Sequence, residues 1–369
     1  MKKKLVSLTM AVAVTAASLL VGCGSSETAE SVESATVSES TEAANSTETV
    51  QAEVDEEAET TDITIYGVND PQISAALIMA DKLGYFEEEG LNVTLQLFTG
   101  MDPIGAALSS GEAMIATTNN YEPILWVDNG AEIKVVAPLC NMAGTQAAAL
   151  APGVEITSAK DLENLTIGLQ AGSPVTICFK NMCAELGVDY DSLHFVNLQP
   201  ADQFSAMESG DIQVISAWEP WITQTIHAGG TFLLSGTEAN FPEKQGEVDW
   251  FDLYNSLAVN DQFLAENPVT IEKVLNALAK ATDYINNNRE EAVAALAVQF
   301  NLEEDVLNDI MNRNSYNMEV DDTFISSTQY LEQYLYDEGF TSNKIETADY
   351  IDFTVLKERL PERYTATTY

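Results

Sequence analysis

Twice in this chain an aromatic ring, a carboxylate and a proline follow one another, as Tyr121-Glu122-Pro123 and as Trp218-Glu219-Pro220. Such a ring can clamp an apolar or planar part of a small molecule, and the neighbouring carboxylate can accept hydrogen bonds from an amine or amino-pyrimidine. The plainer reading of Glu219 is that it caps a helix. Around both tripeptides lie loops rich in small polar side chains and without Lys or Arg. An anionic group held there would rest on backbone N–H groups and hydroxyls at helix N-termini, near Ser173 for example. Catalysis has little to work with. His194 alternates within an apolar strand pattern, and His227 sits at a helix end before Gly229-Gly230. No nucleophile elbow, phosphate loop, dinucleotide fingerprint or zinc-protease helix is present, so no catalytic residue, metal ligand or cofactor is expected.

Loops from two distant segments converge only if a repeated scaffold brings them together. Ile63-Thr64-Ile65-Tyr66 reads as a strand, and a loop follows at 68–72. Ile73, Ala76, Leu77 and Ala80 then form one helical face, stopped by Gly84. A strand alternating through Leu91, Val93, Leu95 and Leu97, a short helix at 103–109 and a strand at 113–117 complete the unit. The same order recurs from Leu165, with a loop at 170–173, a helix faced by Val175, Cys178, Phe179, Met182 and Leu186, and strands at 194–198 and 212–217. Ile65 aligns with Ile167, Gly111-Glu112 with Gly210-Asp211, and Tyr-Glu-Pro with Trp-Glu-Pro. The pattern predicts an α/β protein of two related lobes, each with a parallel or mixed sheet. The first lobe is expected at 63–148, the second at 149–250, and 251–369 should complete the first. A strand at 253–259 then returns to the first lobe, and two connections between lobes make a hinge. Helices starting at Pro268, at 290–300, at 303–310 and at 322–336 should pack on the first lobe.

Ligands of open α/β sheets bind beyond the carboxyl ends of the strands. If the lobes face each other, the first supplies Asn69, Gln72, Met101, Thr117, Thr118, Asn119 and Tyr121 to one cleft. The second supplies Gly172, Ser173, Thr176, Trp218 and Glu219.

Charge narrows the partners. Sixteen Lys and Arg face 58 Asp and Glu, a formal net charge of −42, which repels phosphate backbones and excludes nucleic acid. Lys2-Lys3-Lys4 precede an uncharged apolar run to Leu20, ending in Leu20-Val21-Gly22-Cys23. That run is short for a membrane span, which needs ~20 residues. It reads instead as a secretory segment whose end resembles a bacterial lipobox. Residues 1–23 are therefore expected to be a lipoprotein signal peptide, with Cys23 acylated and the chain held at the extracytoplasmic face of the membrane. Residues 24–62 carry acids but no Lys or Arg and read as a disordered acidic tether. Cys140, Cys178 and Cys183 are an odd number with no CxxC, and Cys178 and Cys183 lie five apart on one expected helix, poor spacing for a bridge, so all three are expected as buried free thiols. Nothing indicates oligomerisation, so a monomer is the default.

The segment Ala80-Asp81-Lys82-Leu83-Gly84-Tyr85-Phe86-Glu87-Glu88-Glu89-Gly90-Leu91 resembles one found in ABC-transporter substrate-binding proteins for nitrate, sulfonates, taurine and thiamine-precursor pyrimidines. Ser158-Ala159-Lys160-Asp161-Leu162, Ala171-Gly172-Ser173 and Ala217-Trp218-Glu219-Pro220-Trp221 are similar to other motifs of that family. The resemblance implies the periplasmic-binding-protein type II fold, a small-molecule ligand between the lobes, and an ABC permease as partner. A sulfonate or taurine-like solute and a thiamine-precursor pyrimidine both remain open. Pyrimidine-synthesising enzymes of the same fold use a Cys-rich motif that this chain lacks, and a ligand-sensing surface protein without a permease is a further alternative.

Overall fold

The computed structural model describes residues 56–369. Cys23, the apolar N-terminal run and most of the acidic stretch lie outside the described residues. The first sheet is built from β1 (Asp62–Val68), β2 (Asn92–Phe98), β3 (Ile115–Asn119) and β4 (Ile133–Asn141). The second takes β5 (Ala147–Leu150), β6 (Thr166–Leu169), β7 (His194–Asn197), β8 (Val214–Ala217), β9 (Thr231–Ser235), β10 (Glu238–Asn240) and β11 (Gln245–Glu247). The chain then returns as β12 (Tyr254–Asn260) to the first sheet. The sheet orders are β2-β1-β3-β12-β4 and β11-β10-β9-β5-β8-β6-β7.

In each sheet three consecutive strands run parallel, with β1 between β2 and β3 in one and β6 between β7 and β8 in the other. The returning β12 and the entering β5 run antiparallel to their neighbours. Parallel strands need crossover helices on their faces, and both sheets have them. The central strands are buried on both sides, as Ile65, Ile115, Ile167 and Val214 at 0% exposure show. That is why they read as apolar runs rather than as clean alternation.

The second sheet starts at Ala147, two residues before the expected lobe boundary of 149, because Ala147 and Ala148 already pair with Ala217 and Ser216 of β8. The expected tether also ends early. Glu59 accepts hydrogen bonds from the backbone N–H groups of Val269 and Thr270, and the Thr60 hydroxyl donates to Asn267 Oδ1. The helix Pro268–Asn287 begins with Pro at its first position and no cap from its own N-cap side chain, so its first-turn donors take a carboxylate from far back along the chain. Along that helix Ile271, Val274, Leu275, Leu278 and Ile285 are fully buried, each contributing about 1.5–3 kcal/mol by leaving water.

The other C-terminal helices are Arg289–Phe300, Glu304–Asn312 and Asp322–Asp337. Glu304–Asn312 does not pack on the first lobe alone. It also meets the second-lobe helix Trp221–His227, where His227 Nε2 lies 3.2 Å from Asp309. His194 is exposed on β7, at the edge of its sheet. Cys140, Cys178 and Cys183 are free and buried. Among the described residues no helix is long and apolar enough to cross a membrane, and no cluster of His, Cys, Asp or Glu is arranged to hold a metal.

Candidate functional site

The carboxyl ends of the parallel strands in the two sheets face one cavity of about 300 Å3. From the first sheet come the loop after β1 with Asp70 and Gln72, the loop after β2 with Thr99 to Asp102, and the turn after β3 with Asn119 and Glu122. From the second come Gln170 to Pro174 after β6, Gln199 after β7 and Trp218 after β8. Met142, Gln146 and Leu253 close the back, where the chain crosses between sheets. Gly144 lies in the first of these crossings, and Gly236, in the turn between β9 and β10, packs against both. A Cβ at Gly144 would collide with the Arg313 carbonyl, and one at Gly236 with the Phe251 carbonyl, so the backbones there approach as only glycine permits.

Of the residues expected at the cleft, Gln72, Met101, Asn119, Gly172, Ser173 and Trp218 line the cavity. The others do not. Asn69 is exposed and its side-chain oxygen accepts from Gln299 on the outer helix. Thr117 and Thr118 are fully buried in β3. Thr117 bonds back to the Tyr66 carbonyl, and Thr118 Oγ1 has no hydrogen-bond partner. Thr176 lies in the first turn of the Val175–Leu186 helix, where its N–H donates to the Ser173 carbonyl. Ser173 caps that turn, its Oγ accepting from Val175 N–H.

Glu219 is a correction. It was expected to offer its carboxylate to a ligand, yet its side chain is wholly buried and pairs with Arg313 at 2.6 Å. Its other oxygen accepts from Thr223 N–H at 2.9 Å, in the first turn of the Trp221–His227 helix. Burial pushes its carboxyl up, while Arg313 and the Thr223 N–H pull the other way. Capping was the plainer reading of this residue, and the arginine that completes the pair lies too far along the chain for sequence to connect them. Glu122, the first-lobe counterpart, has no such partner. Its carboxyl faces the cavity and is pushed up to about 7 by burial and by the Asp102 charge nearby.

Tyr121 bridges the lobes instead of lining the cavity, its hydroxyl donating to the Gly172 carbonyl at 3.1 Å. Gly172 has φ near +78°, a left-handed conformation that turns this carbonyl outward at little cost only for glycine. A second bridge runs the other way, from Glu219 N–H to Gln72 Oε1 at 3.0 Å.

The main residue that sequence reasoning missed is Asp70. Its Oδ1 accepts from the N–H groups of Gln72 and Ile73, and burial lifts its carboxyl to about 6 against those two bonds. The run Asn69-Asp70-Pro71 is the signal that could have found it, an Asx turn opening a helix. Gln146, only 3% exposed, lies in the crossing, where no motif marks it.

The sequence profile of a known family matches residues 72–292, described as NMT1/THI5 like. This chain belongs to the NMT1/THI5-like family. A Bacillus subtilis protein named for aliphatic sulfonates binding is 21% identical over 299 residues, covering 79% of this chain and 86% of that one. Among solved structures, the periplasmic aliphatic sulphonate binding protein SsuA of Escherichia coli superposes with a TM-score of 0.67 at 17% identity, covering 79% of this chain and 92% of that one. The periplasmic nitrate-binding protein NrtA of Synechocystis PCC 6803 gives 0.63 at 14% identity, with 83% and 89% covered. The two lobes of this NMT1/THI5-like chain thus have the fold of periplasmic binding proteins.

Proposed function

We propose that the protein is an extracytoplasmic solute-binding protein that captures a small organic solute between its lobes and delivers it to an ABC permease. The observation that carries this reading is the cavity itself, which takes its walls from the post-strand loops of both sheets. Binding closes the lobes because the solute adds contacts that exist only when they meet. The Tyr121–Gly172 and Gln72–Glu219 bonds are the protein's own share of that closed state. No residue of the cavity is arranged as a nucleophile with a base, so binding rather than catalysis is the reading.

The names of the relatives suggest a sulfonate or taurine-like solute, with a thiamine-precursor pyrimidine as the alternative. The lining favours the nitrogen-bearing class, since it contains no Lys or Arg. Acylation of Cys23 would hold the binder beside its permease and raise its local concentration there. It would show as an added diacylglyceryl mass and as release of a Cys23→Ala chain into the medium.

Native mass spectrometry of the full chain from its own cells tests the binding role. One retained small molecule, lost on denaturation and absent from Trp218→Ala, is the expected result. An empty cleft with no closure on adding cell metabolites would overturn it.

A further inference from the structure

We propose that the solute carries a protonated nitrogen and docks it on the first-lobe wall formed by Asp70, Asp102 and Glu122, an assignment that rests on the solute-binding reading of the cleft.

The charges of the cavity are one-sided. Those three carboxylates line it, and no cationic side chain does. Arg313, beyond Gln72, is taken up by Glu219 at 2.6 Å and by the Thr223 hydroxyl at 2.7 Å. Asp102 is the first residue of the helix Asp102–Ser110, so its charge stands beside the N-terminus that an anion would use on this wall and repels one. Across the cavity, Ser173 fills the N-terminus of Val175–Leu186.

A second, independent observation points to a ligand. Gln146 is 3% exposed, lines the cavity and makes no side-chain hydrogen bond to any described residue. Gln170 also lines it and keeps a buried Oε1 without a partner. Buried amides are rarely left unpaired unless something else satisfies them. Each amide offers both an oxygen and an NH2 group, so the carboxylates of Asp70, Asp102 and Glu122 are what tip this cleft toward acceptors. A nitrogen bearing several N–H donors is the complement. Trp218 also lines the cavity, and an indole ring is the best of the aromatic partners for such a cation.

Binding of a cation holds the carboxylates in their charged form, so protons leave as it enters. Asp70, at about 6, and Glu122, at about 7, titrate in the accessible range. The titratable or charged groups around them include Asp102, Tyr121 beside Glu122, the Tyr316 hydroxyl, which donates to the Pro71 carbonyl, Arg289 over the Tyr316 ring, and the Arg313–Glu219 pair. Amine affinity therefore rises with pH across this window.

The test is saturation-transfer NMR and calorimetry on the full chain with matched probes. These are ethylamine, ethanol and ethanesulfonate, then benzylamine, benzyl alcohol and benzenesulfonate. The amines are expected to bind while the sulfonates do not. Amine affinity should rise about tenfold from pH 5.5 to 8, and that rise should flatten in Glu122→Gln and in Asp70→Asn. Asp70→Asn keeps the Oδ1 acceptor, so the turn survives. Sulfonates binding better than amines, no probe binding at all, or amine affinity indifferent to both substitutions would each overturn the cationic assignment. The solute-binding reading is judged separately, by the small molecule retained in native mass spectrometry.

Discussion

Glu122 shows how a single carboxyl can set both stability and ligand preference. Its ordinary value is 4.5, and burial together with Asp102 lifts it to about 7 in the folded chain. The folded state thus holds the proton more tightly, and stability falls as pH rises from about 4.5 to about 7, then stays level. Glu122→Gln mimics the protonated form. It is expected to stabilise the unliganded protein at pH 8 by on the order of 2 kcal/mol, read as a higher thermal midpoint, and to change it little at pH 4. Calorimetric melts at the two pH values check this, and a midpoint that falls at pH 8 would mean Glu122 has a cation partner. The tripeptide Tyr121-Glu122-Pro123 was visible in the sequence, but its roles divide in space. The ring spans the lobes and the carboxyl faces the cavity, a division that depends on backbone direction after β3 rather than on residue type.

At the scale of elements, the helix Trp221–His227 owes its start to Glu219, and Glu219 owes its charge to Arg313. A buried carboxylate stripped of its cation is costly, typically about 3–5 kcal/mol. Arg313→Ala should therefore lower the urea midpoint strongly without changing the slope. The double variant Arg313→Met, Glu219→Gln should recover most of the loss, since Gln still accepts from Thr223 N–H and no charge remains. Failure of that rescue would show that Arg313 acts through packing alone. Helices were largely legible from caps and apolar spacing. Pro268 and the face of Ile271, Val274, Leu275 and Leu278 marked a helix that the structure shows, and Ser158 with Asp161 forms the expected capping box. Spacing leaves out the partner from elsewhere, whether Arg313 for Glu219 or Glu59 for the first turn of Pro268–Asn287. Those bonds join residues some ninety to two hundred positions apart, and no local rule connects them.

For the molecule as a whole, the internal repeat revealed the two sheets, and the apolar run after the second lobe marked the returning strand, expected at 253–259 and found at Tyr254–Asn260. The back of the cleft escaped, because Met142, Gln146 and Leu253 lie in crossings that occur once and have no counterpart in the repeat. The formal net charge of −42 belongs to this scale too. If the proposed permease partner presents a basic face, this charge should steer the protein onto it, and docking is expected to weaken as salt is raised past 0.15 M, where screening acts within ~8 Å. Uptake by permease-containing vesicles at 50 and 300 mM salt measures this, with solute affinity of the free binder as the control. Equal uptake at both would remove charge from the docking step.

The position of β12 sets an order of events. It lies between β3 and β4 in the first sheet, hydrogen-bonded to both, although it comes after every strand of the second. As the chain is made from its N-terminus, the second sheet has all its strands once Glu247 is out, while the first still has a gap between β3 and β4. Lobe two can consolidate first, and lobe one waits, open, for a strand delivered through its finished neighbour. The protein begins as two lobes and is completed as one only at the end, when the segment that fills the gap also joins the lobes behind the cavity.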